Sequence, residues 1–182
     1  EIGPFWRPNT SQSYRHSDES IGLDVECSNL KSLEEIYKLA YSIIFDVKVR
    51  IWKIYGIKNE DFFLPGPDSV PIITYAEAVN ILHSKGYYMT FGEDLGLIGE
   101  TKLGQIIKKE RNSDVFIVTD YPDNIKKFYT KKTQRGTTET FDIIVSGWEL
   151  VSGAIRETNR SIIEKSMRLS GLNATDYNFY LS

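Results

Sequence analysis

Cysteine, histidine and long apolar runs are scarce in this sequence, and each scarcity excludes a class of protein. The 182 residues include one cysteine, Cys27, and two histidines. A lone cysteine excludes an internal disulfide and a cysteine-based zinc site, and it is typical of a reducing compartment. No apolar run approaches the roughly 20 residues of a membrane-spanning helix. The sequence therefore predicts a cytoplasmic protein without a membrane segment, in which Cys27 is a small core residue.

An excess of positive charge is also missing. The formal net charge is −3, so no global basic field attracts nucleic acid, and any contact with RNA must be local. Hydrophobic residues make up 41% of the chain and charged residues 26%, a balance that excludes wholesale disorder and is typical of a folded protein. At this length a single domain is expected.

The predicted elements follow the order strand, helices, strands, helix. Two short strands, 1–6 and 21–27, bracket a polar loop and predict a long-looped antiparallel hairpin. Capping boxes at Ser32 and Thr74 predict two helices that end at Gly56 and Gly86. The remaining predictions are a connector over 57–71, a helix from Gly99, strands from 115, 127 and 141 with a break near Gly147, and short helices over 161–169 and 176–181. This order favours an α+β fold, with an antiparallel β-sheet flanked by helices, over a doubly wound sheet.

The loop between the first two strands is rich in positive charge and hydroxyl groups. Arg7, Arg15 and His16 lie in it, and planar guanidinium groups suit bidentate contact with phosphate or carboxylate. The alternative is a solvated hairpin tip whose charges pair with Asp18 and Glu19. The composition of the loop leaves both interpretations open.

The order of residues around this loop carries a family resemblance. The stretch "GPFWRPNTSQSYRHSDESIGLDVE", residues 3–26, resembles motif 2 of the class II aminoacyl-tRNA synthetases of the aspartate, asparagine and lysine subgroup. Five later stretches resemble archaeal-type aspartyl-tRNA synthetases in the same order: "FGEDLG" from 91, "LGQII" from 103, "FIVTDYPDNIKKFYT" from 116, "FDIIVSGWELVSGAIRE" from 141 and "SGLNATDYNFYL" from 170. Collinear matches over nearly the whole chain are more specific than one motif.

The resemblance implies a partial class II catalytic domain over residues 1–182. Motif 2 occupies 1–27, and the late strands and helices occupy 115–182. Motif 1, which builds the dimer interface in this family, is expected upstream of Glu1, and motif 3 is expected just after Ser182. A homodimer is therefore expected to form through segments outside this chain.

The resemblance also implies roles for motif 2 residues. Arg7 matches the catalytic arginine, which contacts the ATP α-phosphate and the amino acid carboxylate. Arg15, His16 and Ser17 match the triplet that lies along ATP. Asn9 stands where the family has a glutamate that reads the adenine amino group, and an amide oxygen can still accept that hydrogen bond.

A second set of site residues lies near the end of the chain. Glu149, Ser152 and Arg156 match a family pattern in which the glutamate holds Mg²⁺ and ATP, the serine touches metal and amino acid, and the arginine binds the amino acid. Strand periodicity places Ser152 and Arg156 on one face and Glu149 on the other, so a bulge or bend near Gly147 or Gly153 is needed for convergence. The alternative is an ion pair between Glu149 and Arg156.

Other positions are weaker candidates or departures from the family pattern. Asp142 matches an acidic position that either helps with metal or is an ordinary strand-end carboxylate. Ser20 replaces a phenylalanine that stacks on adenine, Ser146 replaces an arginine, and Asp120 replaces a glutamine or glutamate. A structural role is expected for His83, and a solvated hairpin loop for Lys131 to Arg135.

Three functions remain open at this point. The first is an aspartate-tRNA ligase core that uses ATP and Mg²⁺ to activate aspartate for transfer to the tRNA acceptor end. The second is an archaeal asparagine synthetase related to asparaginyl-tRNA synthetase, which needs no tRNA. The third is a non-catalytic paralogue that acts as a binding module. The choice between aspartate and asparagine also depends, in this family, on residues upstream of this sequence.

Overall fold

The computed structural model of the protein describes residues 1–6, 18–56 and 62–181. The described residues form two compact units, Glu1–Leu30 and Lys31–Ser182. Five of the predicted site residues, Arg7, Asn9, Arg15, His16 and Ser17, lie outside the described part of the chain. None of the described helices is both long and apolar enough to span a membrane.

The first unit is an antiparallel hairpin, as predicted. Strand β1, Ile2–Trp6, pairs with strand β2, Glu19–Leu23, from Ile2 opposite Leu23 to Trp6 opposite Glu19. The second strand was predicted over 21–27, but it begins and ends earlier because its pairing follows β1. Cys27 lies beyond the paired residues and is exposed, so its predicted burial is wrong.

The second unit contains a four-stranded sheet in the order β3–β4–β5–β6. The strands are β3 Ile72–Thr74, β4 Val115–Thr119, β5 Thr140–Val145 and β6 Trp148–Ala154. The pairs β4–β5 and β5–β6 are antiparallel, whereas the short edge strand β3 runs parallel to β4. The α+β prediction is confirmed, with one parallel pair added at the edge.

Helices cover both faces of this sheet. Helix α1, Leu33–Tyr55, packs through Tyr37 and Tyr41 on the face that carries Val115 and Ile117. Helices α2, Tyr75–Ser84, and α3, Gly96–Arg111, pack on the opposite face, where Phe116 and Val118 lie. Since side chains alternate along a strand, the unbroken apolar sequence of β4 supplies both core clusters.

The helix boundaries follow the predicted capping signals. The Ser32 hydroxyl accepts a hydrogen bond from the Glu35 N–H, and Gly56 ends α1 in the left-handed conformation with φ 64°. Thr74 and Glu77 form a reciprocal capping box at the start of α2. Helix α3 begins three residues before the predicted Gly99.

The strand predicted from residue 127 is wrong. A turn closes there instead, because Thr130 donates both its N–H and its hydroxyl to the Lys127 carbonyl, at 3.1 and 2.8 Å. Between this turn and β5 the described residues form only isolated bridges: Thr130 with Arg156, Lys132 with Thr138 and Thr137 with Pro122. The chain ends in helix α4, Arg160–Leu169, a 3₁₀ turn over Ala174–Tyr177 and the short helix α5, Asn178–Leu181.

Helix α3 meets the β5–β6 turn through two glycines. A Cβ added to Gly104 would lie 2.7 Å from the backbone nitrogen of Gly147, and one added to Gly147 would lie 2.8 Å from the Cα of Thr101. Both contacts are with backbone atoms, which cannot rotate away. This close approach sets the position of the turn, and of the residues that follow it in β6.

We expect Gly104→Ala to lower the free energy of unfolding by about 1–2 kcal/mol. Alanine favours a helix over glycine by about 1 kcal/mol, but overpacking against fixed backbone costs about 1–3 kcal/mol and should dominate. Urea denaturation measures the difference. Gly66→Ala is the control, since Gly66 has φ −61° and open space around it. Equal stability of the two variants would contradict the packing argument.

Candidate active site

The predicted site residues of the second unit lie on and after the β5–β6 hairpin. Val145 pairs with Trp148, so Ser146 and Gly147 form a two-residue turn with φ 51° and 79°. Positive φ at both positions matches the twist of the flanking strands. The predicted break near Gly147 is confirmed. Ser146, a departure from the family pattern, occupies a left-handed backbone position.

A bulge in β6 reverses the side on which Glu149 lies. Ile143 pairs with Val151, but the next residue, Ile144, pairs with Glu149, so Leu150 is an extra residue in β6. Asp142 pairs with Ser152, and Asp142 and Ile144 share a face because they are two residues apart. Glu149 therefore joins Ser152 and Asp142 on one face of the sheet. The bulge that convergence required is present, at Leu150.

Asp142 is the centre of this face. It is 3% exposed, and both its oxygens are engaged. Its Oδ1 accepts a hydrogen bond from the Ser152 hydroxyl at 2.7 Å, and its Oδ2 accepts one from the Lys126 ammonium at 2.7 Å. The Lys126 Nζ also lies 3.7 Å from the ring centroid of Tyr121. Asp142 is thus a buried carboxylate whose two oxygens are both satisfied by protein donors.

Glu149 is open to solvent but crowded by protein atoms and other carboxylates. This partial desolvation is the largest cause that raises its pKa to about 7, followed by repulsion from Asp142. Glu100 and Asp94 raise the pKa further, while Lys126 lowers it. Glu149 thus titrates near neutral pH, and its surroundings favour the arrival of a cation.

The shifted pKa of Glu149 predicts a pH dependence of stability. A carboxyl group whose pKa is about 7 in the folded state and 4.5 ordinarily binds more protons when folded, so stability should fall as pH rises from about 4.5 to about 7. Glu149→Gln should remove that part of the decline. Melting temperatures of both proteins between pH 5 and pH 8 measure it. Parallel curves across this range would contradict the assignment.

Two further residues, Glu100 and Tyr121, lie next to the site. The Glu100 carboxylate in α3 accepts a hydrogen bond from the backbone N–H of Glu149 at 3.3 Å. Tyr121 is 2% exposed, and burial, followed by the charge of Asp142, raises its pKa well above the ordinary value. Glu100, Tyr121 and Lys126 were missed by sequence reasoning, although Tyr121 and Lys126 lie within the matched stretch from 116.

Arg156 lies beyond the end of β6, next to a different partner. Its guanidinium carbon is 4.3 Å from the ring centroid of Tyr129. The ion pairs of the described residues do not include one between Arg156 and Glu149, so that alternative is wrong. The structure therefore brings together Asp142, Glu149 and Ser152, and it holds Arg156 separately against an aromatic ring.

Oxygen donors dominate the site, but they do not form a ready metal centre. Across residues 1–6, 18–56 and 62–181, no three His, Cys, Asp or Glu side chains are grouped closely enough to hold a metal ion. The donors on the sheet face, the Glu149 carboxylate and the Ser152 hydroxyl, are of the hard type that Mg²⁺ prefers. Because Mg²⁺ in phosphate sites uses one or two carboxylates and completes its shell with phosphate and water, these two donors fit it.

Comparisons with known proteins agree with the sequence resemblance. An aspartate–tRNA(Asp/Asn) ligase of Saccharolobus solfataricus is 33% identical over the whole chain, and an aspartate–tRNA(Asp) ligase of Pyrococcus abyssi is 32% identical. The chain spans 42% of the length of each of these relatives.

Solved structures show the same similarity. An aspartyl-tRNA synthetase from Entamoeba histolytica matches 99% of the chain with a TM-score of 0.91 and 25% identity, and the match covers 39% of that protein. An asparaginyl-tRNA synthetase from Pyrococcus horikoshii, complexed with asparaginyl-adenylate, matches 99% of the chain with a TM-score of 0.85 and 26% identity, over 42% of that protein. The family model described as tRNA synthetases class II (D, K and N) matches residues 1–182. This chain therefore belongs to the class II tRNA synthetases of the D, K and N group.

Proposed function

We propose that this chain carries the catalytic core of an aspartate-tRNA ligase, which activates aspartate with ATP to aspartyl-adenylate and passes the aspartyl group to tRNA. The observation that carries the proposal is the bulged β5–β6 hairpin, which places Glu149 beside Ser152 and Asp142. This arrangement is the one that the family pattern requires for its glutamate and serine. Identity of about 30% to aspartate–tRNA ligases over the whole chain supports the choice of amino acid.

The chemistry proposed for these residues is electrostatic. The aspartate α-carboxylate attacks the α-phosphorus of ATP, pyrophosphate leaves, and no protein nucleophile takes part. Glu149 and Ser152 would hold Mg²⁺, and a bound Mg²⁺ would neutralise part of the phosphate charge. Lys126 and Ser152 keep the Asp142 carboxylate in one orientation, so its negative charge needs no rearrangement when substrate binds.

The resemblance assigns the remaining proposed roles. Arg7 contacts the α-phosphate and the amino acid carboxylate, and Arg15, His16 and Ser17 follow the length of ATP. Asn9 accepts a hydrogen bond from the adenine amino group. Arg156 binds the amino acid. The acceptor end of tRNA is the second substrate, and cytoplasmic homodimers are proposed from the family pattern.

A second candidate function has support from one comparison. The chain is similar to asparaginyl-tRNA synthetases, at 26% identity for the Pyrococcus horikoshii protein. This similarity supports a second candidate, a related enzyme that converts aspartate, ATP and ammonia to asparagine without tRNA. Such an enzyme would activate the β-carboxylate instead of the α-carboxylate. The two functions share the ATP site and differ in the acceptor.

ATP–pyrophosphate exchange without tRNA tests the proposal, with aspartate or asparagine added and Arg7→Ala as the control variant. We expect exchange that depends on aspartate and disappears in Arg7→Ala. Subsequent addition of tRNA or of ammonia then separates the ligase from the asparagine-forming enzyme. A folded protein that includes motifs 1 and 3 and shows no exchange would overturn both catalytic functions and support a binding module, in line with the changes at Asn9 and Ser20.

A further inference from the structure

The guanidinium of Arg156 rests on one aromatic side chain. Its central carbon lies 4.3 Å from the ring centroid of Tyr129, within the range of a cation–π contact. Within the described part of the chain, the ion pairs include none that involves Arg156. One face of the guanidinium is therefore covered by a ring, and no carboxylate of the described residues neutralises its charge.

The backbone holds the two residues in this relation. Arg156 and Thr130 form an antiparallel bridge. On either side of it, the Lys131 N–H donates to the Ile155 carbonyl at 2.9 Å, and the Glu157 N–H donates to the Tyr129 carbonyl at 2.9 Å. Three consecutive residues of the turn segment thus lie alongside the chain as it leaves β6. Backbone pairing of the two segments therefore fixes the stack of Arg156 on Tyr129.

The Tyr129 ring packs against a further group of aromatic side chains. Phe128 meets Tyr129 edge-on at 5.3 Å, and it meets Tyr177 and Tyr180 edge-on at 6.2 and 5.9 Å. Phe128 and Tyr177 also pack against a buried cluster of Ile163, Met167 and Leu181. The C-terminal helices, whose matched stretch carries none of the predicted site residues, therefore anchor the platform under Arg156.

We propose that Tyr129 is a positioning residue that orients Arg156 for a carboxylate of a dicarboxylic amino acid. This inference rests on the proposed function, in which Arg156 binds the amino acid. Stacking constrains the guanidinium plane and leaves its edge N–H groups free, and those groups make bidentate contact with a carboxylate. It also lowers the rotamer entropy that Arg156 would lose on binding. The aromatic face is what matters, so the phenol hydroxyl is dispensable.

Kinetics of aspartate-dependent exchange in the purified protein test this role. We expect Tyr129→Leu to raise the KM for aspartate about 3- to 10-fold, the equivalent of losing one cation–π contact, with the KM for ATP unchanged. Tyr129→Phe should behave as the unaltered protein. Tyr55→Leu is the matched control, because Tyr55 is a 69% exposed tyrosine at the end of α1.

A direct readout separates positioning from a general structural effect. The Arg156 Hε proton should show an upfield ring-current shift by NMR that persists in Tyr129→Phe and is lost in Tyr129→Leu. The inference is overturned if the KM for aspartate is unchanged in Tyr129→Leu, or if the KM values for aspartate and ATP rise equally. Exchange by the unaltered protein in the same experiment would still support the proposed function. If the unaltered protein neither exchanges nor binds aspartate in calorimetry, the proposed function fails and the inference is overturned with it.

Discussion

Replacing Glu149 by glutamine is expected to slow aspartate-dependent ATP–pyrophosphate exchange by roughly 100- to 1000-fold, the usual loss for one preorganised electrostatic contact with a transition state. Glutamine keeps the shape of the side chain and its place just before the Leu150 bulge, but it removes the negative charge. Since Mg²⁺ bound with ATP would lose its protein carboxylate, the loss should appear in kcat and in the Mg²⁺ concentration that gives half the maximal rate.

Glu110→Gln provides the comparison for that experiment. Glu110 is another glutamate of the second unit, and its carboxylate pairs with Lys85 on the protein surface at 2.7 Å. We expect this variant to exchange at the normal rate. Exchange by Glu149→Gln within a factor of about 3 of the normal rate, far below the usual electrostatic loss, would remove Glu149 from the proposed catalytic site.

Replacing Lys126 by methionine is expected to lower the free energy of unfolding by about 3 kcal/mol, because removing one partner of a buried ion pair leaves the other charge uncompensated. The Asp142 side chain is 4% exposed and that of Lys126 is 17% exposed, so water cannot easily replace the lost ammonium. Methionine has a similar length and retains apolar contact with Tyr121. Chemical denaturation of the two proteins measures the change.

The same substitution at an exposed ion pair serves as the control. Lys131 pairs with Glu139, and these side chains are 46% and 29% exposed, so Lys131→Met should cost about 1 kcal/mol or less. Adding Asp142→Asn to Lys126→Met should restore part of the lost stability, since no buried charge is then left unpaired. An equal loss of unfolding free energy in Lys126→Met and Lys131→Met would show that the buried ion pair contributes no more to stability than the exposed one.

Local signals predicted the helices well. The capping residues Ser32 and Thr74 and the glycine at 56 were identified from spacing alone, and the structure uses each of them at a helix end. One error fell where a contact distant in sequence decides the outcome, and the other where a local turn was not recognised. Cys27 is exposed because β2 ends where its pairing with β1 ends. The chain from residue 127 turns because Thr130 bonds back to Lys127.

The candidate site was predicted in part. Family resemblance selected Glu149, Ser152 and Arg156, and strand periodicity showed that Glu149 needed a bulge to join Ser152. It did not give the position of the bulge, because the pairing register depends on two strands at once. The ion pair proposed between Glu149 and Arg156 is wrong, since Tyr129 supports Arg156 instead.

The sequence by itself determined the secondary structure of the long helices, the α+β order of elements and the family, because these depend on neighbouring residues and on motifs read along the chain. Only the tertiary structure decided that Lys126 and Ser152 hold Asp142, and that Glu100 holds the start of β6. These contacts join residues 16, 10 and 49 positions apart. Their existence depends on how the sheet and α3 pack, and no local pattern in the chain encodes that packing directly.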